Sequence, residues 1–112
     1  MSKQKYLGEF EQFVLLAILK LNQFAYGARI RQLLADEISR DVSIGALYTT
    51  LERLEKKGLL TSQLGESSAE RGGRAKKYFQ VSGEGKRALN QSKSAIDRMW
   101  RDVALSEVQL CQ

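Results

Sequence analysis

Length, composition and charge point to a small, folded and basic protein. The chain has 112 residues, enough for one domain with a single modest core, and its 43% hydrophobic and 28% charged residues exclude wholesale disorder. Its net charge of +5 favours an anionic partner, either nucleic acid or a membrane surface.

Few residues are available for metal binding or catalysis. The sequence contains no histidine and a single cysteine, Cys111, so the commonest metal cages and the commonest acid–base catalyst are absent. We therefore expect no metal, no cofactor and no enzymatic activity. The longest apolar run, from Phe13 to Leu19, is too short to span a bilayer and lacks a signal-peptide cleavage site, which favours a cytoplasmic protein.

The first predicted helix, residues 8–22, is apolar on nearly every side. Positions 10, 13, 14, 17, 18 and 21 form a helical stripe, and leucines at 15, 16 and 19 fill much of the opposite face. Such a helix needs cover on more than one side, which predicts contact with a second subunit through Phe10, Phe13 and Val14. A membrane partner is a poorer interpretation, because an interfacial helix carries a lysine-rich face opposite a clean apolar one.

Two further helices are predicted before the chain becomes strand-like. Residues 27–38 form an amphipathic supporting helix, and residues 43–58 form a third helix with clear signals at both ends. Ser43 can accept hydrogen bonds from the free amides of the first turn, and Gly58 tolerates the left-handed conformation that ends a helix. The inward stripe of this helix is formed by Leu47, Leu51 and Leu54.

A hairpin and a last helix complete the predicted elements. Residues 59–64 and 75–81 are strand-like and enclose a turn-rich, basic loop, and Ser82 can cap the helix that follows. Apolar residues recur every seven positions along that helix, a spacing that favours packing on a partner. The predicted dimer contacts of the last helix are Leu89, Ile96, Met99, Trp100 and Val103.

The order helix, helix, helix, strand, strand is that of a winged helix-turn-helix. In this arrangement the third helix enters the major groove and the hairpin, or wing, touches neighbouring backbone. We therefore predict an α+β, mainly α fold, with a winged helix-turn-helix DNA-binding domain over residues 1–82 and a long C-terminal dimerisation helix over residues 83–112.

Four segments add a family resemblance to this fold prediction. LGEFEQFVLLAIL, YGARI, SIGALYTTLERLEKKGLL and GGRAKKYFQVSGEGKRAL follow one another at short spacings over about residues 7–90. Together they resemble the PadR-like family of bacterial transcriptional regulators. Thr49 departs from the pattern, since many relatives have proline directly after the tyrosine that matches Tyr48. The single helix after the wing resembles the short branch of the family, which dimerises through that helix.

The resemblance implies a homodimeric transcriptional regulator, most often a repressor, that binds a pseudo-palindromic operator in double-stranded DNA. It also implies release by a small aromatic or cationic effector. Trp100 is the candidate residue for that role, because with Phe10 and Val14 it could wall an apolar site at the two-fold axis. The alternative for Trp100 is an aromatic that only fills space in the core or the interface.

The residues expected to bind DNA lie on the third helix and on the wing. The outer side of the helix offers hydroxyls and cations that suit base edges and phosphates, and the wing segment RGGRAKK carries four positive charges and two glycines. In the family, the tyrosine that matches Tyr48 is tied to the DNA-facing surface. The predicted contacts are Ser43, Ala46, Tyr48, Thr49, Thr50, Arg53, Lys57, Arg71, Arg74 and Lys76.

Other interpretations of the same residues stay open. A polar helix side can simply be solvated, and a glycine-rich hairpin tip can be mobile. The main functional alternative is a winged-helix protein-interaction module without sequence-specific DNA binding, in which the basic wing meets an acidic protein surface.

Overall fold

The computed structural model of the chain describes residues 6–67 and 75–105. It contains four helices, two strands and a short 3₁₀ turn after the first helix. The helices are α1 (Glu9–Leu21), α2 (Gly27–Ile38), α3 (Ile44–Lys56) and α4 (Gly83–Trp100), and the strands are β1 (Leu60–Ser67) and β2 (Ala75–Val81). The two strands form an antiparallel hairpin. The prediction of a mainly helical winged helix-turn-helix is confirmed.

The core forms where α1 packs on α2, on α3 and on the hairpin of the same chain. Each of these elements contributes fully or almost fully buried side chains, and burying each large one is worth about 1.5–3 kcal/mol. The core consists of Val14, Leu15, Ala17, Ile18, Ala25, Ile30, Leu34, Leu47, Leu51, Leu54, Leu60, Phe79 and Val81. The apolar circumference of α1 is therefore covered largely within one subunit.

Val14 corrects one of the sequence predictions. Its side chain is 0% exposed in the single chain, so it contacts neither a second subunit nor an effector. The reason is that α2, α3 and the hairpin already surround this side of α1. Phe10 and Phe13 are half-buried against the same core. Leu16 is the exposed leucine of α1, although it was not among the predicted subunit contacts.

The ends of α3 follow the local sequence signals. The Ser43 hydroxyl oxygen accepts a hydrogen bond from the Ala46 N–H at 3.1 Å, as an N-cap residue does. After Lys57, Gly58 adopts φ +78°, a left-handed conformation that favours glycine. Both predicted ends of the third helix are confirmed.

The hairpin is attached to the turn between α1 and α2. Leu60 lies opposite Val81 and Ser62 opposite Phe79, so the apolar face of the hairpin meets the core. The Phe79 N–H donates to the Ala25 carbonyl at 2.8 Å, which joins β2 to the segment that precedes α2. The root of the wing is thereby held in a defined position beside the first turn of α2.

The first half of α4 packs on its own chain. Ser82 caps the helix by accepting from the Gly85 N–H at 3.1 Å, and Gly85 itself lies against the Leu59 carbonyl. Farther along, the buried Ser92 hydroxyl accepts from the Leu7 N–H at 3.0 Å. Leu89 is half-buried against the core.

The second half of α4 is different, because its apolar residues are exposed. Ile96 is 53% exposed, Met99 76% and Trp100 53%. The helix then ends at Trp100, where Arg101 has ψ 130° and Asp102 has φ 65°. Val103 consequently lies outside the helix, and the prediction of one helical seam that includes Val103 is wrong.

Candidate nucleic-acid interface

The outer side of α3 is a continuous polar surface opposite the core. At about 100° per residue, four positions lie directly opposite the buried stripe. These are Gly45, Thr49, Glu52 and Lys56, and all four are exposed. Lys56 was absent from the predicted DNA contacts, although the phase of the buried stripe in the sequence could have identified it.

The structure contradicts the prediction that Thr50 contacts DNA. Its side chain is 5% exposed and lies beside Leu47, Leu51 and Leu54 in the inward stripe. The stripe is thus wider than the leucine spacing alone indicates, because a helix packed between two neighbours buries a broad face. Thr50 is not accessible to DNA in this fold.

Two hydroxyl groups at the start of α3 retain hydrogen-bonding capacity. The Ser43 oxygen accepts from the Ala46 N–H, so its own O–H is still available as a donor. The Thr49 O–H donates to the Gly45 carbonyl at 3.0 Å, so its oxygen can still accept. Ser43, Ala46 and Thr49 are all exposed. This end of the helix can therefore present a donor, a methyl group and an acceptor to a base pair or a phosphate.

Tyr48 holds α3 against both of its neighbours. Its ring packs edge-on against Phe79 with 6.2 Å between the ring centroids. A Cβ atom added to Gly27 would lie 2.5 Å from the Tyr48 hydroxyl, so only glycine allows the ring to lie this close to the first turn of α2. The ring is half-buried beside the core, and a contact of its hydroxyl with phosphate remains a prediction.

Arg53 of α3 and Lys57, which directly follows the last residue of α3, lie on the side that faces α1. The carboxylate of Glu11 on α1 lies 3.4 Å from Arg53 Nε and 3.1 Å from Lys57 Nζ. The side chains of the two cations are 50% and 49% exposed, whereas that of Glu11 is only 12% exposed. Sequence reasoning missed Glu11, because nothing local indicates that α1 crosses the C-terminal end of α3.

The environment of Glu11 favours its charged form. Burial by itself raises the pKa of this carboxyl group, but the hydrogen bond from the Gly8 N–H and the positive charges of Lys57 and Arg53 outweigh it. The net result is a pKa below the ordinary value. The carboxylate is therefore ionised at neutral pH and neutralises part of the charge on this side.

Glu11 makes stability depend on pH in the acid range. Its contribution is fully present above the ordinary pKa of 4.5 and is lost as the pH falls below that value through the lowered pKa of the folded state. We expect Glu11→Gln to show a shallower acid loss of unfolding free energy than the wild type, measured by urea unfolding between about pH 6 and about pH 3. Glu52→Gln, at an exposed position of α3, is the matched control, and equal profiles for wild type and Glu11→Gln would contradict the prediction.

On the wing, Lys76 is held above an aromatic pair. Its ammonium group lies 3.8 Å from the centroid of the Tyr26 ring, and Tyr26 packs edge-on against Tyr78 with 5.4 Å between centroids. Tyr26 directly precedes α2, so this cation lies close to the helix-turn-helix unit. Lys77 points to the other face and lies 3.9 Å from Glu55. The predicted contacts Arg71 and Arg74 lie outside the described residues.

The three residues predicted to bind an effector do not form a common site within one chain. Val14 is buried in the core, and the Phe10 ring is covered by the Arg40 guanidinium at 5.3 Å, whereas Trp100 lies exposed at the end of α4. A surface groove of about 560 Å³ between the end of α1 and the hairpin contains none of them. An effector site at Trp100 would therefore have to be completed by residues other than Val14.

A polar outer face on the third of three helices, with a cation-bearing hairpin beside it, defines a winged helix-turn-helix protein. The sequence profile of the transcriptional regulator PadR-like family matches residues 15–91. The chain therefore belongs to the PadR-like family of transcriptional regulators, as its motifs predicted.

Individual relatives support the same assignment. Transcriptional regulator Rv3488 of Mycobacterium tuberculosis is 37% identical over 73 residues, which cover 62% of this chain and 64% of that protein, just under two thirds of its length. A PadR-like transcription factor from Bacteroides fragilis superposes with a TM-score of 0.70 at 29% identity, over 80% of this chain and 82% of the other. A PadR-like transcriptional regulator from Bacillus cereus superposes with a TM-score of 0.66 at 26% identity, over 80% of this chain and 82% of the other.

The family to which the chain belongs is a family of transcriptional regulators. Within the described parts of the chain, no helix is both long and apolar enough to cross a membrane.

Proposed function

We propose that the protein is a sequence-specific DNA-binding regulator, a cytoplasmic homodimer that represses transcription from a pseudo-palindromic operator. The single observation that carries the proposal is the exposed polar side of α3 in a fold whose wing holds the Lys76 ammonium group above Tyr26, directly before α2. In a winged helix-turn-helix, this side of the third helix, called the recognition helix below, enters the major groove.

The contacts divide into those that read bases and those that bind backbone. Ser43, Ala46 and Thr49 have the donor, methyl and acceptor groups that suit base edges. Lys76 supplies charge near the backbone, and Arg71 and Arg74 of the wing segment are proposed to do the same. The net charge of +5 on the whole chain also favours attraction to a polyanion such as DNA.

A dimer is supported by the apolar surface at the end of α4. Ile96, Met99 and Trp100 expose large side chains to water in the single chain, and their burial against a second copy removes this cost. Phe10, Phe13, Leu89 and Val103 are proposed to complete the interface. Two recognition helices related by a two-fold axis would then reach successive major grooves about 34 Å apart.

Release by a small molecule is proposed to act through this interface. Both recognition helices must fit at once, so a ligand that binds one dimer geometry better than the other changes operator affinity. Trp100, at 53% exposure, offers an aromatic surface for a flat aromatic or cationic compound once a second copy lies beside it.

The proposal is tested by duplex binding at several salt concentrations. The wild type is expected to bind a duplex from its own upstream region far better than a scrambled one, since base contacts discriminate between them. Lys76→Ala is expected to weaken both complexes and to reduce the slope of log affinity against log salt by about 1. Lys93→Ala, an exposed lysine of α4 paired with Asp97, is the control and is expected to leave the slope unchanged.

The alternative function is a protein-interaction module. The Lys76 ammonium group above Tyr26 favours it as well, because an acidic protein surface could meet the same cation. A wild type that binds neither duplex would overturn the DNA-binding proposal in favour of this module.

A further inference from the structure

A nearly buried carboxylate connects α1 to two cations of the recognition helix. Glu11 is 9% exposed as a whole residue, and its two oxygens bind different partners. Oε1 accepts the Gly8 N–H at 3.0 Å, while Oε2 lies 3.1 Å from Lys57 Nζ and 3.4 Å from Arg53 Nε. One negative charge of the protein itself therefore lies between two positive charges on the helix proposed to read DNA.

The carboxylate is fixed in place from the side of α1. The neighbouring residue Leu7 donates its N–H to the buried Ser92 hydroxyl of α4 at 3.0 Å and accepts from Gln12 Nε2 at 3.0 Å. The backbone that holds Oε1 is thus anchored to two helices. Glu11 cannot follow the cations towards DNA, and their departure would leave an unpaired charge in a nearly buried position, which is strongly unfavourable.

The two cations nevertheless have an open side. About half of the Arg53 and Lys57 side chains is exposed, so a phosphate could compete for them from solvent. Affinity for DNA of any sequence grows with the number of phosphates that a protein neutralises, whereas discrimination comes from base contacts. An internal anion that occupies two cations therefore lowers the sequence-independent part of binding more than the sequence-specific part.

We propose that Glu11 is a specificity-determining residue, which competes with DNA phosphates for Arg53 and Lys57 and so suppresses binding to duplexes that lack the operator bases. The inference rests on the proposed DNA-binding function and deepens it. Glu11 does not itself contact DNA, and it acts only by holding the two cations in place.

The test compares Glu11→Gln with the wild type on operator and scrambled duplexes across a range of salt. The variant is expected to bind the scrambled duplex about tenfold more tightly and to steepen its salt dependence by about 0.9 for each released cation. Operator affinity should rise less, so the ratio of operator to scrambled affinity falls. An unchanged slope in a folded variant would overturn the proposal, whereas a wild type that binds neither duplex would overturn the DNA-binding function and the inference with it.

Matched variants separate this effect from a simple gain of positive charge. Glu84→Gln makes the same change of net charge at an exposed site on α4 and should leave the slope unchanged. Adding Arg53→Gln and Lys57→Gln to Glu11→Gln should return the slope to the wild-type value, because the released cations are then absent. Equal steepening by Glu84→Gln, or a gain that survives the removal of both cations, would overturn the proposal.

A second measurement applies if Glu11→Gln fails to fold. The pairing with Glu11 replaces the phosphate contacts that the sequence predicted for Arg53 and Lys57. In the wild-type background, Arg53→Gln and Lys57→Gln are therefore each expected to leave the salt slope unchanged. A loss of about 0.9 in the slope for either variant would mean that the cation binds phosphate despite Glu11, and the proposal would be wrong.

Discussion

Ile96→Asp is expected to convert the proposed dimer into a monomer and to lower operator affinity at least about a hundredfold. Ile96 is 53% exposed on the apolar half of α4, so an aspartate there is tolerated in the single chain but places a charge in the proposed interface. Loss of the second recognition helix removes the gain from binding two half-sites together, which is on the order of 10²–10⁴.

The measurement for Ile96→Asp combines sedimentation with operator binding at the same protein concentrations. Gln91→Asp is the matched control, because it introduces the same charge at an exposed position roughly 140° away around α4. The control should remain dimeric and bind operator normally. A dimer that survives Ile96→Asp, or a monomer with undiminished operator affinity, would show that α4 does not bring the two recognition helices together.

Gly85→Ala is expected to lower the free energy of unfolding by about 1–3 kcal/mol, the usual range for overpacking. A Cβ atom at this position would collide with the Leu59 carbonyl and would lie 2.7 Å from Val81 Cγ1. Neither atom can move freely, since both belong to the tightly packed root of the hairpin. The first turn of α4 must therefore shift away from the winged helix, which also displaces the exposed apolar half of the helix.

Gly83→Ala supplies the control for Gly85→Ala two residues earlier in the same helix. A Cβ atom there meets nothing within 4 Å, so the usual helix preference for alanine over glycine, about 1 kcal/mol at most, should make this variant equal to or more stable than the wild type. Denaturant unfolding of both variants gives the comparison. If Gly85→Ala gained stability as well, the close packing of α4 on the hairpin would be refuted.

One further measurement concerns the second half of α4. Ser92 anchors the segment that precedes α1, and the apolar half of the helix carries the proposed interface. A rotation of α4 within the proposed dimer would therefore act on the backbone that holds Glu11. Fluorescence of Trp100, the single tryptophan of the chain, reports on the same part of the helix when a candidate effector is added.

Much of the fold was predictable because the signals that specify it are local. The N-cap at Ser43 and the left-handed Gly58 act within one turn of α3, so each can be recognised from its immediate neighbours. The alternation along residues 75–81 identifies β2 in the same way, since it depends only on which face of the strand is apolar. The order of these elements then restricted the topology to a winged helix-turn-helix.

The site was less predictable because it depends on how distant segments meet. Thr50 and Val14 have side chains whose burial follows from the width of the packed face, not from the residue type. The end of α4 at Trp100 removed Val103 from a seam that the heptad spacing extended too far. Lys76 was predicted from its charge, but its position above Tyr26 results from the attachment of β2 to the turn before α2.

By itself, the sequence determined the element order, both ends of α3 and the family, because caps, periodicity and motif spacing are properties of neighbouring residues. Only the tertiary structure decided which charges face each other. Glu11 and the Arg53–Lys57 pair are separated by more than forty residues, and they meet because α1 crosses the end of α3 in the folded core. Such a contact depends on the packing angle of two helices, and packing angles are set by the whole core.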